Sequence, residues 1–197
     1  MEALFAECLG IISGDGCLSY SFPKSQTGPK YYIYICGHSK DDLDFLIHTK
    51  ELIKILFNKE TSINFRSDKN CAYIKFSDKR IFNELSNYLP IGDKYNSIRI
   101  PEEVLNSNKL FRSFIKGYFD TDGTVIHVKG YPRLEIKSKS QLLLEQSLSK
   151  LRALGFYGSL SKCKECYRLE IPGEKNLRRW LKLIGFSNKK HLKKVVL

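Results

Sequence analysis

A nine-residue pattern occurs twice in this chain and constrains its fold more than any other feature. Cys8–Gly16 reads CLGIISGDG, and Ile115–Gly123 reads IKGYFDTDG. Gly10, Asp15 and Gly16 return as Gly117, Asp122 and Gly123, each at an offset of 107 residues. Both stretches read as apolar helices with a glycine at the third position. That glycine lets another backbone come close. The glycine after the aspartate is expected to cap the helix in the left-handed conformation. The aspartate is unexplained by helix formation, because a carboxylate is misplaced at the negative end of the helix dipole. If the two helices pack together, two carboxylates face each other and raise each other's pKa. A divalent cation between or beside them makes sense of that arrangement.

The flanking pattern repeats as well. Helix 2–14 is followed by alternating strands at 17–22 and 31–37 around a polar loop, Pro23 to Lys30. Ser39-Lys40-Asp41-Asp42 reads as the N-cap of a helix through Phe57. Strands at 61–66 and 71–77 follow, joined by the turn Ser67-Asp68-Lys69-Asn70. Asp78 caps a further helix with Ile81, Phe82, Leu85 and Leu89. After the connector Pro90–Pro101 and a helical turn from Pro101, the plan recurs. It gives a hairpin about Gly130, a helix from Ser140 closed by Gly155, strands 157–161 and 167–171, and a helix 174–184 closed by Gly185. Each half is therefore αββαββα, and the fold class is α/β (α+β). The expected divisions are an N-terminal half over 1–92, a linker over 93–107 and a C-terminal half over 108–197.

Lys and Arg number 33 against 21 Asp and Glu in 197 residues, a net charge of +12. That balance suits a polyanionic partner. With 42% hydrophobic residues the chain is globular, and no apolar run is long enough to span a bilayer. Met1–Phe5 lacks the features of a signal peptide. An intracellular protein is expected, in the cytoplasm of a prokaryote or an organelle matrix or stroma, with no membrane partner. The six cysteines read as reduced and mostly buried, with Cys163-Lys164-Glu165-Cys166 as a hairpin tip rather than half a zinc site.

The repeated stretches resemble the LAGLIDADG motif of homing endonucleases in the single-chain form that carries two copies. The first copy departs from the pattern at Ser13, and the second at Lys116, where the motif has a small residue. The resemblance implies that antiparallel saddles pack on helices, with the motif helix pair at their interface. It also implies a site-specific endonuclease that cuts both strands of a long double-stranded DNA target across the minor groove, leaving short 3′ overhangs. Asp15 and Asp122 would bind metal and do the chemistry, with helix-end groups at Gly14 and Thr121 completing an oxygen-rich shell suited to Mg²⁺. Mn²⁺ would substitute, and Ca²⁺ would bind without turnover. Asp120, which has no acidic counterpart at Ser13, is assigned a structural role or one that supports the metal-binding aspartates from behind. Lysines after the last helix of each half, Lys94 and Lys190, would assist catalysis. His38, Ser138 and Lys139 occupy positions near the scissile phosphates.

Outward-facing strand residues are candidates for DNA contact, since a β-ribbon fits the major groove. They are Ser19, Ser21, Tyr32, Tyr34, Asn64, Arg66, Tyr73 and Lys75 in the first half, and Thr124, Arg133, Glu135, Lys137 and Arg168 in the second. The bland alternative is an ordinary solvated sheet face. A monomer encoded by a mobile intron is expected. The rival reading is an intron-RNA maturase that binds host intron RNA on the same saddle. A transcriptional regulator on this fold would tend to lose the acidic pair.

Overall fold

The computed structural model describes residues 1–23, 28–66, 69–95 and 97–195. Parts of the expected loop at 23–30 and turn at 67–70 therefore lie outside the described residues. In chain order the first half comprises α1 (Ala3–Asp15), β1 (Gly16–Ser21), β2 (Lys30–His38), α2 (Leu43–Phe57), β3 (Ile63–Arg66), β4 (Cys71–Phe76) and α3 (Lys79–Ser86). The short helix α4 (Glu102–Leu105) leads into the second set: α5 (Asn108–Asp122), β5 (Gly123–Val128), β6 (Tyr131–Ser138), α6 (Gln141–Ala153), β7 (Ser159–Cys163), β8 (Cys166–Pro172) and α7 (Glu174–Leu183). A last short helix, α8 (Lys189–Leu192), follows.

Two four-stranded antiparallel sheets result, ordered β1-β2-β4-β3 and β5-β6-β8-β7. The same order in both follows from the same sequence pattern, two hairpins separated by a helix. Strand alternation decides the buried face. Leu18, Ile33, Ile35, Ala72 and Ile74 are buried in the first sheet, and Val125, Leu134, Ile136, Leu169 and Ile171 in the second. Tyr20 and Phe22, in phase with Leu18, are 50% and 72% exposed, because β1 runs past the edge of the core.

The motif helices α1 and α5 pack on each other along their length, and α1 is buried almost continuously from Phe5 to Ser13. Glycine makes this contact possible. A Cβ on Gly10 would strike the Phe114 carbonyl and lie 2.9 Å from the Tyr118 nitrogen. A Cβ on Gly117 would strike the Glu7 carbonyl and lie 3.1 Å from the Ile11 nitrogen. Each helix thus rests its backbone on the other's glycine.

The second glycine of each motif behaves differently from the expectation. Gly16 and Gly123 are extended, at φ −99° and −90°, and neither forms a left-handed cap. Glycine is needed there because the strand folds back against the helix it has just left. A Cβ on Gly16 would lie 2.5 Å from Ile12 Cα, and one on Gly123 would lie 2.5 Å from the Phe119 carbonyl oxygen. Cysteine burial also departs from expectation: Cys8 is buried, but the other five are only partly covered.

Asp78 and Ser140 cap α3 and α6 as their sequences suggest, accepting from the Ile81 and Leu143 amides at 3.1 and 3.2 Å. Asp42 stands at the N-cap position of α2 but its side chain does not cap the helix. Its carboxylate instead accepts from the His38 amide (2.8 Å), Asn188 Nδ2 (2.8 Å) and Lys190 Nζ (2.8 Å). The segment before α8 is thereby fastened to the first half.

Candidate functional site

Asp15 and Asp122 are the final residues of α1 and α5. Because the helices cross in close contact, their C-terminal ends meet, and both carboxylates line one cleft of about 570 Å³ between the two sheets. Asp15 is half-buried, while Asp122 opens to the cleft although protein surrounds its carboxyl. Burial raises the pKa of both. Asp122 is pushed up to about 7 by burial and then by the negative charge of Asp15, against Lys94, Tyr118 and Lys190. For Asp15, Lys190 and Lys94 oppose the rise and Asp42 adds to it. The expected crowding of like charge is therefore present at this junction.

Lys94 reaches the same point. The connector before it is pinned to β1 by a 2.8 Å bond from the Gly92 amide to the Leu18 carbonyl. From there Lys94 Nζ donates to the Ile12 carbonyl (3.0 Å), the Gly16 carbonyl (2.6 Å) and the Gly14 carbonyl. The ammonium thus satisfies the last carbonyls of α1 and sits on its negative end. Burial lowers its pKa, while Asp122 and Asp15 pull it back up. Lys190 does not mirror this placement: it is held on Asp42 and acts on the aspartates through space.

Among the described residues, no group of three or more His, Cys, Asp and Glu is placed to hold a metal ion. The two aspartates are nevertheless a hard-oxygen donor pair with a surplus of negative charge, which suits Mg²⁺. That ion takes one or two carboxylates and completes its shell with water and substrate phosphates. Of the other expected ligands, the Gly14 carbonyl is already engaged by Lys94. The Thr121 hydroxyl donates to the Tyr118 carbonyl at 2.8 Å, which leaves the Thr121 backbone carbonyl, the atom expected in the shell, for that role. The fit therefore rests on Asp15 and Asp122, with that carbonyl beside them.

Below the aspartates the helix pair is held by polar contacts that periodicity does not reveal. Glu7, 3% exposed on α1, accepts from Lys116 Nζ (2.7 Å) and Ser187 Oγ (2.7 Å) and pairs with His48 Nε2 (2.9 Å). Burial alone would raise the Glu7 carboxyl, but His48, Lys116 and Ser187 hold it below its ordinary value. This explains the Lys116 departure from the motif: the lysine neutralises an acid on the facing helix. Asp120 is fully buried, accepts from the Ser187 amide at 2.7 Å and has a pKa of about 7 from burial. Its side chain is spent on the segment before α8. Tyr118, missed in the sequence, also lines the cleft. Its signal was a phenol in the motif helix one turn before Asp122.

The register brings the strand candidates onto one face of each sheet. In the first, Ser19 pairs with Tyr32, Cys17 with Tyr34, Tyr34 with Lys75, and Tyr73 with both Cys36 and Asn64. Ser21 lies opposite Lys30, and His38 and Arg66 both lie opposite Cys71. Lys75 sits 4.4 Å from the Tyr32 ring centre, and Arg66 sits 5.8 Å from that of Tyr73. His38 Nδ1 accepts from the Asp41 amide at 3.2 Å, so it serves the turn into α2. In the second sheet Thr124 pairs with Glu135, and Lys137 with Arg168. Here the candidates are committed to one another. Arg133 pairs with Glu170, while Lys137 and Arg168 lie 3.3 and 3.8 Å from Glu135. Ser138 and Lys139 line the cleft, with Lys139 4.7 Å from the Tyr95 ring centre.

The fold has counterparts. I-DmoI, described as a homing endonuclease, superposes with a TM-score of 0.72 at 21% identity, covering 92% of this chain and 90% of that one. A second I-DmoI structure, in complex with DNA and Mn, gives 0.68 at 22%, over 93% and 96%. The LAGLIDADG meganuclease I-AabMI bound to uncleaved DNA gives 0.64 at 15%, over 98% and 88%. Residues 110–185 match the LAGLIDADG-like domain family.

This is the LAGLIDADG fold in its two-motif form.

Curated relatives of this chain carry other names. A replication factor C small subunit of Methanocaldococcus jannaschii is 31% identical over 111 residues, 53% of this chain and 6% of that protein. Its namesake in Thermococcus kodakarensis is 29% identical over 203 residues, 99% and 21%. A probable translation initiation factor IF-2 of the same organism is 37% identical over 114 residues, 56% and 9%. The chain thus spans about a fifth or less of these relatives' length.

Proposed function

We propose that this LAGLIDADG protein is a site-specific endonuclease that hydrolyses both strands of a long double-stranded DNA target with a divalent cation, leaving short 3′ overhangs. The observation that carries the reading is the meeting of Asp15 and Asp122 at the joined ends of α1 and α5, in a cleft between two polar sheet faces. Structural counterparts in complex with DNA and Mn or Ca lend support. So does the net charge of +12. The matches inside relatives of two different names suit a self-contained module rather than a part of replication or initiation factors.

Bound Mg²⁺ or Mn²⁺ would supply an activated water and neutralise charge on the phosphoryl and leaving oxygens. Asp15 and Asp122 would hold it, one carboxylate from each half, so that each strand has its own acidic residue. Lys94 keeps the end of α1 closed and brings positive charge beside both carboxylates, where a phosphate would lie. Lys139 lines the cleft and would hold the backbone approaching it. Lys190 steadies Asp42 and lends charge to the aspartates from behind.

The test is Asp15→Asn and Asp122→Asn, singly and together, assayed on plasmid libraries carrying candidate target alleles with and without Mg²⁺. Cleavage of both strands should be lost while duplex binding in Ca²⁺ persists. Full double-strand cutting by the double variant would overturn the proposal.

A further inference from the structure

The two outward sheet faces differ in electrostatic character, although their strands share one order. Across the first, the register sets Lys30 opposite Ser21, Lys75 opposite Tyr34 and Arg66 opposite Cys71, and no acidic residue occupies any strand position on that face. Across the second, Arg133, Lys137 and Arg168 alternate with Glu135 and Glu170. These five form one continuous ladder. Arg133 pairs with Glu170, Glu170 lies 3.5 Å from Arg168 Nε, Arg168 lies 3.8 Å from Glu135, and Glu135 lies 3.3 Å from Lys137 Nζ. Glu135 is 6% exposed, deep for a carboxylate on a face that otherwise meets solvent.

Phosphate binding draws its strength from cations that shed counterions, and a carboxylate beside each cation cancels that gain. Directed at base edges, however, a carboxylate accepts only from an amino group, cytosine N4 or adenine N6. Opposite the acceptors of guanine or thymine it stays unpaired and repels. Resting on the reading of the cleft as a duplex-DNA site, we infer that the two sheets divide recognition between them. The β1–β4 face supplies affinity for the backbone. The β5–β8 face supplies discrimination, with Glu135 and Glu170 rejecting half-sites that offer no amino donor in the major groove.

The experiment compares wild type, E135Q/E170Q, E170Q alone and K75Q, all in Ca²⁺ so that binding is measured without turnover. Glu170, the less buried of the two carboxylates, gives a variant that keeps the fold if the double change does not. Affinity for a random-sequence duplex is measured against salt, and binding sites are selected from a randomised duplex pool. Each freed cation that gains a phosphate steepens the log–log salt dependence by about 0.9. E135Q/E170Q should therefore steepen it by about 1–2 and bind random duplex roughly tenfold more tightly near 100 mM salt. E170Q should do part of this, and K75Q should flatten the dependence by about 0.9. The pool selected by wild type should favour cytosine or adenine at fixed positions of one half-site, a preference the glutamine variants lose. Unchanged slopes and unchanged selected sites in the glutamine variants would overturn the division alone. Failure of the wild type to bind any duplex would instead overturn the endonuclease reading, and this inference with it.

Discussion

Replacing Gly10 by alanine tests whether the helix seam, rather than the sheets, holds the two halves together. The added methyl would meet the Phe114 carbonyl head-on, with the Phe114 carbonyl carbon at 3.0 Å and the Tyr118 nitrogen at 2.9 Å. Ordinary contact begins near 3.4 Å, so α1 and α5 must separate by at least half an ångström, measured from the backbone nitrogen. Neither obstacle is a flexible side-chain end. Overpacking of this kind costs about 1–3 kcal/mol, and the rigidity of two backbones puts Gly10→Ala at the upper end. For a chain of this size, 1 kcal/mol moves Tm by about 2–4 °C, so a fall of about 6–12 °C is expected. Because the same movement parts Asp15 from Asp122, cleavage should fall further than stability does. Thermal denaturation followed by circular dichroism reads the first effect and a plasmid cleavage assay the second. Gly28→Ala is the control, since a Cβ there meets nothing within 4 Å. A Gly10→Ala protein melting within 2 °C of wild type would refute the argument from backbone contact.

Two further outcomes follow from buried charge. Asp120 has a folded pKa of about 7 against an unfolded value of 3.8, so the folded state keeps a proton that the unfolded state releases. Stability should therefore decline as pH climbs from about 4 to 7, and Asp120→Asn, which keeps the acceptor for Ser187, should flatten that decline in melting curves taken across the range. Lys94→Met should leave the last carbonyls of α1 without their donor, lowering the cleavage rate at least tenfold while duplex binding in Ca²⁺ changes less than threefold; equal losses in both assays would show that Lys94 serves binding instead.

Much of the architecture was legible because it is written twice. An offset shared by Gly10, Asp15 and Gly16 identifies two helices, their mutual contact and the acidic pair without any long-range information. The β-faces were legible for the same reason: period-2 alternation from Tyr32 to Cys36 or from Arg133 to Lys137 survives in the sheets. What stayed hidden depends on neighbours far apart in the chain. The left-handed caps expected at Gly16 and Gly123 fail because the steric demand comes from the returning strand, which a local rule for helix ends does not contain. Asp42 looks like a cap in isolation, yet Asn188, 146 residues away, takes its carboxylate. Lys94 was placed near the site by resemblance alone, and its seat on three carbonyls required the connector's bond to Leu18. The mutual neutralisation of Arg133 with Glu170, and of Glu135 with Lys137 and Arg168, needed the register of β6 on β8, and their individual identities could not disclose it.

The seam between α1 and α5 has an evolutionary corollary. Two glycines facing backbone leave no side chain through which that contact could be adjusted, so drift there is nearly all loss. The outer sheets face no such veto, since their exposed positions touch only solvent or a ligand. A lineage built this way can exchange one outer sheet for that of a cousin while the seam, and with it the junction of Asp15 and Asp122, stays unaltered.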